Sequence, residues 1–367
     1  MTNIGVKQKV LVGISGGLSS ALTAALLKTQ GYAVEGAFID LSSELVQGFK
    51  SRCREGSKAQ GLELAQRLSE KIGIPLHVID ASALFEAQVM DPSVHRALMN
   101  QTFNPCLACT RDVKIRLLFE KAEESGIQWI ATGHFAQTST DPVTGQVSLL
   151  KALDPSLDES YFLSSLGTQQ VSRLLLPLGG LSKKMIEKIA EKSEVSQVLK
   201  GERGFRGFRG FDDESIFAQT KTCFVEEPEF LAFMEKRVAP SLSHLRVIKK
   251  AMQKSESEIF DSASGFQSRG GSMEVQSQEH VLSVVQVSWV RPMNQLKGFQ
   301  GSVKFAPDQP EFPGVFTCFE NHTVQVRISE KPGDLLPGMA VAFYQGQEVL
   351  GAGILDRMKD PLGAARR

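Results

Sequence analysis

The chain has 367 residues, of which 42% are hydrophobic and 22% charged; 41 Lys and Arg balance 41 Asp and Glu for a formal net charge of +0. This length exceeds one ordinary hydrophobic core and implies two or three domains. The neutral balance excludes nucleic-acid binding through bulk charge, so any basic surface has to be local.

No apolar run nears the roughly 18 residues a membrane span needs, and residues 1–7 lack the apolar stretch of a signal peptide. A cytoplasmic protein without membrane contact is expected. Lys9-Val10-Leu11-Val12-Gly13-Ile14 reads as a strand buried on both faces. A helix follows over residues 19–30, and Gly31 sits where it should stop. Further strands are expected at 34–39, 76–79 and 129–132, with helices at 57–72 and 113–125 between them. Alternation of this kind to about residue 165 predicts a parallel α/β sheet.

Residues 166–200 read as helical, and two further short helices are expected near 229–234 and 243–254. Between them lies a Gly/Phe/Arg insert at 201–211, whose rings and guanidiniums suit RNA contact or a plain polar loop. The stretch 255–279 is Ser/Gln/Gly-rich. From residue 284 onward short strands at 284–290, 301–305, 323–328, 340–344 and 348–354, parted by turn residues, predict a small antiparallel barrel. The expected domains are therefore 1–165, 166–283 and 284–367.

Ser15-Gly16-Gly17-Leu18-Ser19-Ser20 joins the first strand to the first helix. A helix N-terminus presents backbone N–H groups and the positive end of its dipole to an anion, and glycine allows close approach. No Gly-Lys-Ser/Thr follows, so this is not a Walker loop. An ordinary tight turn would account for the same two glycines.

Five cysteines in a large chain argue against a disulfide framework. Cys106 and Cys109 follow Asn104-Pro105 and precede a helix, a setting that favours thiolate. At this spacing they suit a reversible disulfide, half a zinc site or two ligands of an iron–sulfur cluster. Cys223 is a distant third; Cys318 reads as packing, and Cys53 stands between Arg52 and Arg54.

Taken in order, several segments resemble the tRNA-specific 2-thiouridylases: Ser15-Gly16-Gly17, Asn104-Pro105-Cys106-x-x-Cys109, Lys114, Ala131-Thr132-Gly133-His134, Asp158-Glu159-Ser160-Tyr161-Phe162-Leu163, Leu176-Pro177-Leu178-Gly179, Cys223-Phe224 and the Pro337-Gly338 to Gly353 barrel end. The resemblance implies an N-terminal pyrophosphatase-loop domain like that of the adenine nucleotide alpha hydrolases, a central tRNA-binding adaptor and a C-terminal barrel. It also implies ATP with Mg²⁺ at a pocket built from Gly13, Ser15, Gly16, Gly17, Ser19 and Ser20. Phe38, Gly133 and His134 complete that pocket.

By the same resemblance, ATP adenylates the wobble uridine of tRNA, Cys223 carries a persulfide, and Cys109 resolves the product as a disulfide with Cys223. A competing implication has Cys106, Cys109 and Cys223 hold an iron–sulfur cluster. The implied partners are tRNA, contacted by Arg111, Lys114, Lys183 and Lys184 and by Lys249 and Lys250, and a cysteine desulfurase or sulfur-relay protein. A monomer is expected.

Three departures stand out. The family loop reads Ser-Gly-Gly-x-Asp-Ser-Ser, which places Ser19 on the aspartate; a hydroxyl is a weaker Mg²⁺ ligand than a carboxylate. Lys58-Ala59-Gln60-Gly61 replaces acidic positions, and the glycine-rich segment before the barrel is scarcely recognisable at 265–271. A paralogue that binds tRNA or a sulfur-transfer partner without adenylating it is therefore the alternative to a working enzyme.

Overall fold

The computed structural model describes residues 7–41, 58–99, 101–199, 280–290, 298–319, 322–330, 332 and 335–359. Cys53, the 201–211 insert, Cys223, Lys249, Lys250, the helices expected near 229–234 and 243–254 and the segment 265–271 lie outside them.

The N-terminal part opens with β1 (Lys9–Gly13), α1 (Leu18–Thr29), β2 (Ala33–Asp40), α2 (Lys58–Ile72) and β3 (Leu76–Asp80). Short helical pieces follow: α3 (Ser82–Phe85), a π-helical turn at Glu86–Met90, α4 (Asp91–Leu98) and α5 (Pro105–Ala108). A second π-helical turn, Cys109–Ile115, runs into α6 (Arg116–Glu124) and then β4 (Trp129–Ala131). The hairpin β5 (Ala136–Thr140) and β6 (Val147–Lys151) precedes α7 (Ser160–Leu163), α8 (Thr168–Ser172), β7 (Leu174–Leu175), α9 (Lys183–Lys192) and α10 (Val195–Leu199).

Five parallel strands form a sheet in the order β3-β2-β1-β4-β7. β1 is flanked on both sides, and Val10, Leu11 and Val12 are wholly buried, which is why the run is apolar without alternation. β1 passes to β2 on one flank, whereas the chain returns from β3 to β4 on the other. The carboxyl ends of β1 and β4 therefore bound the topological switch point, where open α/β sheets take ligands. The fifth strand comes from beyond residue 165, within a stretch that reads as helical.

The alternation of strand and helix does not continue unbroken to residue 165. β5 and β6 are antiparallel and belong to the other sheet of the protein. Their turn explains the departure: Asp141 Oδ1 accepts from the N–H groups of Val143 (2.8 Å) and Thr144 (2.9 Å), and Gly145 adopts φ +69°. A short turn of this kind favours an antiparallel return over a helical crossover.

The C-terminal part contains β8 (His280–Trp289), β9 (Phe299–Lys304), β10 (Phe312–Cys318), β11 (Val324–Ile328), β12 (Ala340–Gln345) and β13 (Glu348–Lys359). These six antiparallel strands run β12-β9-β10-β11-β8-β13 and close through β12–β13 into the expected barrel. β10 is the strand that the sequence pattern does not announce, because Pro313 lies inside it opposite Ser302. The barrel core is aromatic and branched, with Phe299 stacked on Phe316 at 4.6 Å and Phe316 edge-on to Phe343 at 5.5 Å. Cys318 packs against this core.

The two parts are tied together. β6 pairs with β13 at Leu149–Val349 and Leu150–Glu348, and Ser148 donates to Glu348 at 2.7 Å. Lys151 forms an ion pair with Glu311 and lies over the Tyr344 ring at 4.7 Å.

Candidate active site at the sheet switch point

The turn after β1 is shaped by close backbone contact. Gly16 has φ +86°, and a Cβ there would stand 2.9 Å from the Gly61 carbonyl oxygen of α2. The Phe38 ring covers Gly61 from the side of β2, 3.7 Å from where a Cβ would lie. Only glycine satisfies both demands at position 16.

Inside the loop, the Ser15 N–H donates to Ser20 Oγ (3.1 Å), and Ser20 Oγ donates to the Gly17 carbonyl (2.9 Å). The buried Ser20 hydroxyl thus braces the turn from within, while Ser15 and Gly17 are exposed and Ser19 is half-buried. The first turn of α1 carries no side-chain cap and no acidic residue. Its N–H groups and dipole remain available to an anion.

The loop after β4 meets this turn. A Cβ on Gly133 would stand 2.8 Å from both Ser19 C and Ser20 N, so the strand end lies directly on the first turn of α1. Gly13 faces the other way, with the Leu118 side chain of α6 at 3.1 Å from its Cβ position.

His134 Nδ1 lies 2.9 Å from Thr132 Oγ1. Burial, with the nearby Lys114 charge as a second cause, lowers its pKa to about 4. The ring is therefore neutral at neutral pH. Glu159 accepts from the Phe135 N–H at 2.9 Å, yet burial raises its pKa to about 7; Asp158 adds to the rise, and the Phe135 bond and Lys114 oppose it. Lys114 thus acts on both groups from the Cys109–Ile115 turn, half-buried rather than on the outer surface.

That same turn begins with Cys109, which is buried; Cys106, on α5, is half-buried. Asn104 caps α5, its Oδ1 accepting from the N–H groups of Cys106 (3.1 Å) and Leu107 (3.2 Å). Irregular π-helical turns recur at functional sites because they rotate side chains out of helical register. No disulfide joins Cys106, Cys109 or Cys318, and among the described residues no three candidate ligands gather as a metal site. Cys223, the third ligand expected for an iron–sulfur cluster, lies outside the described residues.

The expected cations separate. Arg111 is engaged by its neighbour Asp112 through two bonds of 2.7 and 2.8 Å. Lys183 opens α9, where its backbone N–H meets Asp154, and the Lys184 side chain is exposed beside it. No helix of the described residues is long and apolar enough to cross a membrane.

Comparison with known proteins agrees with this layout. Residues 8–203 match the family model described as the tRNA methyl transferase HUP domain, and residues 279–355 match the aminomethyltransferase beta-barrel domain. A tRNA-specific 2-thiouridylase of Geobacter metallireducens is 29% identical over 381 residues, covering 95% of this chain and 97% of its own length. Those of Psychromonas ingrahamii and Geotalea uraniireducens are 29% and 26% identical over 378 and 389 residues, each covering 95% of this chain and 97% and 95% of their own. The chain belongs to the tRNA-specific 2-thiouridylase family.

Within this 2-thiouridylase frame, the geometry adds residues that sequence reasoning left without a role. Glu159 sits in the 158–163 motif, but nothing in Asp158-Glu159 signals that desolvation raises the pKa of the glutamate. Thr132, the partner of His134, and Asn104, the cap beneath Cys106, are likewise visible only once the strand end and the turn are placed.

Proposed function

We propose that the protein is an ATP-dependent tRNA-uridine 2-sulfurtransferase. The observation that carries this reading is the contact of Gly133 with Ser19 and Ser20, which brings the end of β4 onto the first turn of α1 at the switch point, where an anion is favoured. Ser15 and Ser19 are assigned to the phosphates through their hydroxyls, and Phe38 and the neutral His134 to the base and ribose. The loop hydroxyls would also hold Mg²⁺ on the phosphates, less firmly than a carboxylate.

The O2 oxygen of the uridine attacks the α-phosphorus of ATP, and pyrophosphate leaves. The terminal sulfur of a Cys223 persulfide, supplied by a cysteine desulfurase or relay protein, attacks C2, and AMP leaves. The Cys109 thiolate attacks Cys223 Sγ, the S–S bond to the base breaks, and thiouridine departs, leaving a Cys109–Cys223 disulfide. A thiol reductant restores both cysteines. Lys183 and Lys184 are assigned to phosphates of the tRNA, with Arg111 joining them only if it leaves Asp112.

Ser19 favours a second reading, binding without adenylation, because the first turn of α1 holds no carboxylate. Sulfur incorporation into unmodified tRNA with ATP and a persulfide donor separates the two. Wild type and Ser19→Asp should both form thiouridine, and Cys223→Ala should form none. Product from Ser19→Asp alone would establish the binding-only reading, and product from Cys223→Ala would sink the persulfide role.

A further inference from the structure

The cysteine turn is held from the barrel at two points. Upstream, the N–H and Oγ1 of Thr102 both donate to the Pro337 carbonyl at 3.1 Å. Gly338, at φ +92°, approaches so closely that a Cβ there would lie 2.2 Å from the Thr102 carbonyl oxygen. At the other point, Tyr161 Oη donates to the Phe305 carbonyl at 2.9 Å, at the end of β9, and lies 3.3 Å from Asn104 Nδ2.

The direction of these bonds follows from proton count. Tyr161 is wholly buried, and burial raises its pKa, so its single proton stays on Oη. A backbone carbonyl only accepts, so that proton is committed to Phe305. Toward Asn104 the oxygen must then accept, which requires the NH₂ of the amide to face it. Oδ1 is left facing the N–H groups of Cys106 and Leu107, where an acceptor is needed. A flipped amide would set NH₂ against two N–H groups and leave both helix donors unpaired.

We infer that the C-terminal barrel sets the conformation of the Cys106–Cys109 turn through the Phe305–Tyr161–Asn104 chain and the Thr102–Gly338 contact, making Tyr161 and Asn104 positioning residues for the cysteines. The inference deepens the sulfur-transfer reading, but its test needs neither ATP nor tRNA, so the two can fail separately.

The test is alkylation of the full chain by iodoacetamide, with the rate at each cysteine followed by peptide mass spectrometry. Cys318, on β10, serves as the internal reference. Tyr161→Phe should speed modification of buried Cys109 at least fivefold, and Asn104→Ala at least tenfold, with Cys318 unchanged within twofold. Asn104→Ser, which restores a capping oxygen, should return the rate to within threefold of wild type. Gly338→Ala should act like Tyr161→Phe although it lies on the barrel. Gly346→Ala, whose glycine also has positive φ (+60°) but open space around it, should leave Cys109 unchanged. Wild-type Cys109 rates in Tyr161→Phe and Gly338→Ala would overturn the inference. So would a rise at Cys318 in the same proportion, which is general loosening of the fold.

Discussion

Replacing Gly133 by alanine should lower ATP affinity more than tenfold and abolish ATP-dependent thiolation. The new methyl group would meet Ser19 C and Ser20 N at 2.8 Å, and both are backbone atoms of a helix start. Neither can step aside cheaply. Ser20 is bonded to Ser15 and Gly17, and Gly16 is wedged against Gly61, so the first turn of α1 has to separate from β4 as a unit. Overpacking of this kind costs about 1–3 kcal/mol of stability, and the greater loss falls on the proposed anion site, whose N–H donors lie in the displaced first turn of α1. Gly126→Ala, at φ +63° with nothing within 4 Å, is the control for backbone strain alone. Isothermal titration with a non-hydrolysable ATP analogue reads the difference. Wild-type affinity in Gly133→Ala would show that the two loops do not share a ligand.

Glu159→Gln should make the protein more stable above neutral pH, by on the order of 1–3 kcal/mol at pH 8 relative to its effect at pH 4.5. The sign follows from proton binding. The unfolded carboxyl ionises near 4.5, whereas the folded one keeps its proton to about 7, so folding is penalised progressively as pH rises between these values. Above pH 7 the full penalty applies. His134 works in the opposite sense: its folded pKa of about 4 lies below the ordinary 6.5, so it penalises folding as pH falls through that window. From pH 4.5 to 6.5 the two slopes oppose one another, and the wild type should be nearly level there. Removing the carboxyl exposes the histidine slope, so Glu159→Gln should gain stability steadily from pH 4.5 to 6.5. Urea unfolding at half-unit pH steps measures both curves; a wild-type-minus-variant difference independent of pH would refute the buried-acid assignment.

Much of this site is legible in the residues themselves. The apolar β1 run, the two glycines after it and the Gly133-His134 strand end carry local signatures, because buried parallel strands and tight βα turns constrain sequence directly. Other parts depend on contacts made far along the chain. The acidity of Glu159 comes from what covers it, and the orientation of Asn104 from a tyrosine 57 residues away. The β5–β6 hairpin was written in Asp141 and Gly145 but was masked by the regular alternation around it. β10 was hidden by Pro313, which argues against a strand unless the partner register is known. Gly13 belongs to the phosphate loop by position, and the sequence alone does not reveal that Leu118 occupies the space where its Cβ would lie.

The pairing of β6 with β13 also bears on how this protein is made. Ser148 and Glu348 stand 200 residues apart. At about 5–20 residues per second, a ribosome needs roughly 10–40 s to supply the partner strand after β6 has emerged. Through that interval the nascent chain carries Leu149 and Leu150 on an uncovered strand edge, the kind of template that recruits neighbouring chains. A truncated product ending before β13 would keep that edge permanently, and a premature stop near the C-terminus should therefore yield aggregate rather than a soluble nucleotide-binding fragment.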